Sequence, residues 1–166
     1  AYPGSGLGIA DVAIANVEIF ADEGVETPEG FLSMKDLELP QASRDGELIF
    51  NEVPVDFPTA ETIQEIRSSL GQQSRIEAGL FCTVSLGSGT DAASRRAEER
   101  WNPLAESMEG AAAALVAWRQ RVRFSEIRGI SNMTGDRNRE SWKIAEACEA
   151  AAAAAGVWIE RERTQA

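Results

Sequence analysis

The sequence predicts an α/β fold with a parallel or mixed sheet, and three observations support this prediction. Apolar runs of strand length alternate with segments of helical length and pattern. Glycine and proline stand at the boundaries of these segments, where strands and helices usually end. The length of 166 residues suits one domain with a sizeable core. We therefore treat residues 1–166 as a single domain.

The sequence predicts the following strands and helices in order along the chain. Residues 11–20 alternate apolar and polar side chains, which is typical of a half-buried strand. Residues 21–45 are rich in glycine, proline and acidic side chains and indicate a long excursion with at most one short helix. Further strands are predicted over 47–55, 76–85, 122–131 and 157–159, and helices over 59–70, 91–100, 106–119 and 139–155. Gly156 is expected to end the last helix.

The front of the fold is expected to be incomplete. The chain opens on the turn-forming residues 3–6, and an α/β domain rarely begins its sheet so late. We therefore expect the N-terminal strands of the complete sheet to be missing from this sequence.

Charge and apolarity limit the partners that the surface can bind. The sequence has 16 basic and 27 acidic residues, for a formal net charge of −11. Such a surface repels phosphate backbones and anionic lipids, which argues against nucleic-acid and membrane-surface roles. A long apolar span and a secretory signal are both lacking, so we expect a cytoplasmic protein. Cys82 and Cys148 are expected to be free thiols there rather than a disulfide.

The sequence contains no histidine, which restricts the chemistry that it can support. Catalytic systems that pair serine or cysteine with histidine are excluded, as are zinc sites built on histidine. Catalysis must therefore use carboxylates, amides, hydroxyls and backbone groups.

Three segments have a functional interpretation, and each also has a purely structural one. Glu109 stands near the start of an alanine-rich helix, where a carboxylate could bind two ribose hydroxyls or simply stabilise the helix end. Ser131 and Asn132 follow a strand, where α/β proteins often bind ligands, but both residues also favour turns. The glycine-rich turn over 85–90 lacks the lysine of a phosphate loop and is better explained as a tight strand-to-helix connection that could line a pocket.

Taken together, these motifs resemble the purine nucleoside phosphorylase and nucleosidase superfamily. Met108-Glu109-Gly110 is followed by Ile130-Ser131-Asn132, with Asn132 23 positions after Glu109. The segments over 24–31 and 134–137 are more specifically similar to futalosine hydrolases, which are menaquinone-pathway nucleosidases. The resemblance implies a three-layer α/β/α sandwich around a mixed sheet, usually assembled as a homo-oligomer, without metal or cofactor.

The resemblance also implies roles for individual residues. Glu109 would hold the ribose hydroxyls, Met108 would pack against the sugar, and Asn132 would contact N7 and O6 of the base beside Ser131. The base pocket would be bordered by Ser85, Leu86 and Gly87, and the 5′ end of the nucleoside would lie near Phe20 and Phe31. The superfamily's water-activating glutamate and base-holding glycine turn would precede Ala1, so this chain alone is expected to be inactive.

Asn132 favours a 6-oxopurine on physical grounds. Relatives that release adenine use aspartate at this position, whereas an amide offers N–H donors to the acceptors O6 and N7 of hypoxanthine. The expected reaction is therefore hydrolysis of a nucleoside such as futalosine to hypoxanthine. A methylthioadenosine-type nucleosidase, a purine nucleoside phosphorylase and a non-catalytic nucleoside-binding or assembly module remain as alternatives.

Overall fold

The computed structural model describes residues 1–71 and 74–165. Its strands are β1 (Val12–Phe20), β2 (Gly24–Thr27), β3 (Gly30–Ser33), β4 (Ala42–Arg44), β5 (Glu47–Ile49), β6 (Glu52–Pro54), β7 (Ile76–Thr83), β8 (Ala105–Ser107) and β9 (Ile127–Gly129). Its α-helices are α1 (Ala60–Leu70), α2 (Asp91–Trp101), α3 (Gly110–Gln120) and α4 (Ile144–Gln165). Short 3₁₀ turns cover Pro3–Ser5 and Arg139–Ser141.

A five-stranded mixed sheet organises the molecule around β1. Strand β7 runs parallel to β1 along its whole length, and β8 runs parallel to the end of β7. The other edge of β1 is shared by two antiparallel strands: β9 pairs with its first residues and β6 with its last. A bulge between Ala15 and Val17 separates these two halves. The predicted α/β class with a mixed sheet is confirmed.

Helices cover both faces of the sheet. Helices α1 and α4 pack on one face through an apolar cluster of Val12, Ile14, Ile66, Ile76, Ala154 and Trp158. Helix α3 lies on the other face, where it contacts β1, β6 and β7. The first residues of α3 therefore meet the ends of the central strands, and this contact builds the candidate site.

Several predicted elements are confirmed with small shifts of their ends. The strands over 11–20 and 76–85 are β1 and β7, and the helices over 59–70 and 91–100 are α1 and α2. The two helices begin after Thr59 and Thr90, whose side chains accept hydrogen bonds from the backbone N–H groups of Thr62 and Ala93.

Other predictions were wrong at element boundaries. The helix predicted over 106–119 begins only at Gly110, because residues 105–107 pair with β7 as β8. The strand predicted over 122–131 is reduced to β9, and the excursion over 21–45 contains the hairpin of β2 and β3 instead of a helix. Strand β4 lies at the end of this excursion and forms a second hairpin with β5.

The end of the chain differs most from the prediction. Helix α4 starts later than predicted, continues through Gly156 and replaces the strand predicted over 157–159. A glycine inside a helix costs about 1 kcal/mol relative to alanine. Ala154 and Trp158 on either side of Gly156 are buried against the sheet and α1, and this packing outweighs the cost.

Two further expectations have structural counterparts. Cys82 is buried in β7, Cys148 is exposed on α4, and both are free thiols as predicted. Among the described helices, none has the length and apolarity needed to cross a bilayer.

Candidate active site

The glycine-rich turn after β7 is attached to the sheet by Glu106. The carboxylate of Glu106 accepts hydrogen bonds from the backbone N–H and the hydroxyl of Ser88, at 2.9 and 2.6 Å. It also accepts the hydroxyl of Tyr2 at 2.7 Å. Glu106 thus joins the turn, β8 and the start of the chain, and its hydrogen-bonding capacity is used structurally.

The start of α3 is capped by hydroxyls from two strands. The backbone N–H of Ala111 donates to Thr83 Oγ1 at 2.7 Å, and that of Gly110 donates to Ser107 Oγ at 3.3 Å. Because these hydroxyls satisfy N–H groups that a helix start leaves unpaired, the adjacent carboxylate of Glu109 is not needed to cap them. Its Oε2 atom accepts the backbone N–H of Met108 at 3.3 Å.

Glu109 occupies the N-cap position of α3 but makes no capping hydrogen bond with its side chain. The side chain is 76% exposed, and its nearest cationic partner is Arg128, whose Nη2 atom lies 3.6 Å from Oε2. Neighbouring Met108 is also exposed. A carboxylate at a helix start, with open space beside it, can accept two hydrogen bonds from vicinal hydroxyls.

Arg128 connects Glu109 to the interior of the molecule. Its Nε atom lies 2.5 Å from Oε1 of Glu126, while its other end faces Glu109. Arg128 belongs to β9, only four positions before Asn132. The segment that carries the amide of Asn132 therefore also places the cation beside Glu109.

Asn132 follows β9 in a partly buried position. Its Oδ1 atom accepts the Ser131 hydroxyl at 2.8 Å, and its Nδ2 atom donates to the Met133 carbonyl at 3.0 Å. The Asn132 carbonyl accepts a hydrogen bond from the backbone nitrogen of Ala1 at 2.8 Å. Since an amide nitrogen carries two hydrogens, one N–H of Asn132 remains for a ligand.

Glu18 lies behind the start of α3 and was not singled out by sequence reasoning. This β1 side chain is fully buried, and its Oε2 atom accepts the Thr83 hydroxyl at 3.2 Å. Burial, and then the neighbouring Glu126 carboxylate, raise the pKa of Glu18 to about 8. A charged residue amid the apolar alternation of β1 was the available sequence signal.

The other predicted site residues are distributed around this centre. Ser85 donates its backbone N–H to Asp22 at 2.6 Å, Leu86 is 85% exposed, and Gly87 lies next to Glu106. Phe20 packs against the apolar cluster under α3. Phe31 packs elsewhere, against Arg100 and Trp101 of α2.

The structure thus brings Glu109 and the Asn132 segment together through Arg128, whereas Phe20 and Phe31 belong to different clusters. Sequence reasoning assigned no role to Arg128, Glu106, Glu18 or Glu126. Arg128 lies within the strand predicted over 122–131, next to the Ile130-Ser131-Asn132 motif, but the approach of Glu18 to Glu126 is visible only in three dimensions.

Comparison with known proteins identifies the family of the chain. The family model for the Phosphorylase superfamily matches residues 3–160. The chain is 31% identical over 138 residues to the futalosine hydrolase of Acidothermus cellulolyticus, covering 82% of this chain and 52% of that protein. It is 31% identical over 160 residues to the futalosine hydrolase of Thermus thermophilus, covering 93% of this chain and 63% of that protein. The chain therefore spans roughly half to two-thirds of these relatives.

Solved structures show the same fold at lower identity. The 5′-methylthioadenosine/S-adenosylhomocysteine nucleosidase of Neisseria meningitidis, in complex with methylthio-immucillin-A, superposes with a TM-score of 0.72 at 14% identity. This match covers 97% of the chain and 66% of the nucleosidase. The S-adenosylhomocysteine nucleosidase of Streptococcus pyogenes gives a TM-score of 0.70 at 19% identity, with 97% and 64% coverage. Because the family model matches most of its length, this chain belongs to the Phosphorylase superfamily.

Proposed function

We propose that the protein hydrolyses the N-glycosidic bond of a 6-oxopurine nucleoside, and that futalosine is its substrate in menaquinone biosynthesis. The observation that carries this proposal is the link from Glu109 through Arg128 to the segment of Asn132. An ion pair between side chains thus joins the carboxylate that we propose to bind the ribose to the strand that precedes the amide that we propose to bind the base. The similarity to two futalosine hydrolases supports the choice of substrate.

In the proposed reaction, Glu109 acts on the ribose and Asn132 acts on the base. Hydrolysis of an N-glycoside proceeds through a cation-like ribose, with bond breaking ahead of the attack by water. The Glu109 carboxylate would bind the ribose hydroxyls and stabilise the positive charge of the sugar. The remaining N–H of Asn132 would stabilise the negative charge that develops on the departing base. The water oxygen would then bond to C1′, and the proton that the water loses would neutralise the departed base.

The direct test measures hypoxanthine release by the full-length gene product, from futalosine and from inosine, with and without phosphate. We expect release from futalosine that does not depend on phosphate and is abolished in Glu109→Ala. The matched control is Glu160→Ala, which removes an exposed carboxylate of α4 and should retain full activity.

Two outcomes would contradict the proposal. Release that requires phosphate would indicate a phosphorylase instead. A folded full-length preparation that releases no base from either nucleoside would favour a nucleoside-binding or assembly module.

We further propose that the protein acts in the cytoplasm as a homo-oligomer. The two free thiols and the excess of acidic side chains support a reducing, aqueous compartment. Light scattering coupled to size-exclusion chromatography tests the assembly, and a monomer at micromolar concentration would contradict it.

A further inference from the structure

A buried carboxyl group, that of Glu18, lies beside Gly110, the residue that follows the proposed ribose-binding Glu109. Glu18 is completely inaccessible to solvent, and its Oε1 atom has no hydrogen-bond partner among the described residues. A buried acceptor or charge without a partner is costly, so such an atom requires a physical explanation. Thr83 accounts for Oε2 only, since its hydroxyl has a single hydrogen to donate.

A second carboxyl group, that of Glu126, approaches the same side of Gly110. A Cβ atom added to Gly110 would stand 2.4 Å from Oε2 of Glu126 and 2.5 Å from Oε2 of Glu18. Two carboxylates converging on one buried point repel each other, and the usual resolution is that the pair retains a proton. A proton gives the buried acid a donor and removes the repulsion.

The charge that remains on the pair has a defined partner. Arg128 Nε lies 2.5 Å from Glu126 Oε1, and the same guanidinium extends to Glu109. With one proton on the pair, Arg128 balances a single buried negative charge and keeps its other N–H groups for Glu109. With none, two buried carboxylates would compete with the more exposed Glu109 for Arg128.

We infer that Glu18 and Glu126 hold one proton between them and act together as positioning residues that keep Arg128 directed at the Glu109 carboxylate. This inference rests on the proposed function, since it assigns the pair to the binding of the ribose. Neither glutamate touches the substrate, and both act through Arg128.

The other groups facing Glu18 are consistent with one shared proton. Arg128 approaches the pair from β9. Cys82 of β7 packs with Ile19, whose side chain points to the other face of the sheet from Glu18. Burial raises the pKa of Cys82 to about 12, so its thiol contributes no charge at neutral pH. The N-terminal end of α3 contributes a partial positive charge through the N–H groups near Gly110.

The experiment measures kcat/KM for base release against pH in the full-length protein. Glu18→Gln replaces the shared proton with a permanently neutral side chain, so its kcat/KM should no longer depend on whether the pair holds that proton. The wild type should lose about tenfold in kcat/KM on the alkaline side, and Glu18→Gln should not show this loss. Glu126→Gln removes the anchor of Arg128 and should lower kcat/KM by about tenfold at every pH.

The matched control is Glu77→Gln, which neutralises an exposed glutamate on β7 and should reproduce the profile of the wild type. Circular dichroism of each variant checks that it is folded. An alkaline loss of the same size in Glu18→Gln, or full activity in Glu126→Gln, would overturn the inference.

A second readout keeps the inference separate from the proposed function. The infrared difference spectrum between the wild type and Glu18→Gln at neutral pH should show a protonated carboxylic acid in the wild type. If the wild type releases no base but shows this band, the proposed function fails and the shared proton stands. If the band is missing, the shared proton is refuted whatever the activity.

Discussion

Gly129 lies so close to Ala147 that a Cβ atom on Gly129 would stand 1.8 Å from the Ala147 carbonyl oxygen. No rotamer change can relieve this contact, because the obstructing atom belongs to the backbone of α4. The close approach lets β9 pack directly beneath that helix.

We predict that Gly129→Ala lowers the free energy of unfolding by about 3 kcal/mol or more, because β9 or α4 must move away. Denaturant unfolding measures this change. A loss below about 1 kcal/mol would show that the two elements separate easily.

Gly156→Ala, in α4, should have the opposite effect on stability from Gly129→Ala. Gly156 lies in the interior of α4, and a Cβ atom there would meet open space. The substitution should raise the free energy of unfolding by about 1 kcal/mol, because alanine loses less backbone entropy in a helix. A destabilised Gly156→Ala variant would mean that this stretch of α4 is not helical in solution.

The raised pKa of Glu18 predicts a pH-dependent stability. The folded protein retains this proton up to about pH 8, whereas the unfolded chain loses it near 4.5. The stability associated with the proton is thus complete below about pH 4.5 and is lost as the pH rises through 8. The wild type should become less stable relative to Glu18→Gln over this window, by about 1.4 kcal/mol per unit of pKa difference. Melting temperatures of both proteins at several pH values measure this difference, and a constant difference would refute the shift.

Thr83→Val tests the cap of α3. The valine keeps the shape of threonine but removes the acceptor of the Ala111 N–H and the donor to Glu18. We expect a loss of about 1–3 kcal/mol in the free energy of unfolding, because buried polar groups lose their partners. Thr164→Val, at an exposed position of α4, should change it by less than about 0.5 kcal/mol. Equal effects of the two variants would contradict the capping role.

Asn132→Asp tests the choice of base. The aspartate lacks the N–H that contacts the Met133 carbonyl, and at neutral pH it offers acceptors where hypoxanthine requires donors. Hypoxanthine release should fall by about tenfold or more, and adenine release from an adenine nucleoside should appear. Chromatographic separation of the released bases measures both. Asn138→Asp in the same loop is the matched control, and unchanged base preference in Asn132→Asp would contradict the assignment.

The local elements of the fold were largely predictable, and their pairing was not. Helix α1 carries its own signals, with a capping threonine at its start and Gly71 after its end, and it was located within a residue. Residues 105–107 carry no comparable signal, because their strand conformation depends on pairing with β7. Gly156 was misread as a helix end for the same reason, since burial of its neighbours is a tertiary effect.

Some residues of the site could likewise be predicted from the sequence, and others could not. Glu109 and Asn132 stand in recognisable motifs, so both were found from the sequence. Glu18 and Glu126 are 108 positions apart, and the pairing of β9 with β1 brings them together.

The shared edge of β1 has a consequence for the order in which the chain can fold. The last residues of β1 find their partner in β6, which follows after a moderate loop, whereas the first residues must wait for β9, which comes from the final third of the chain. Closing so large a loop is entropically costly and slows folding. Amide hydrogens at the two ends of this one strand should therefore acquire protection at different times during refolding, so that a single strand records both an early and a late stage of assembly.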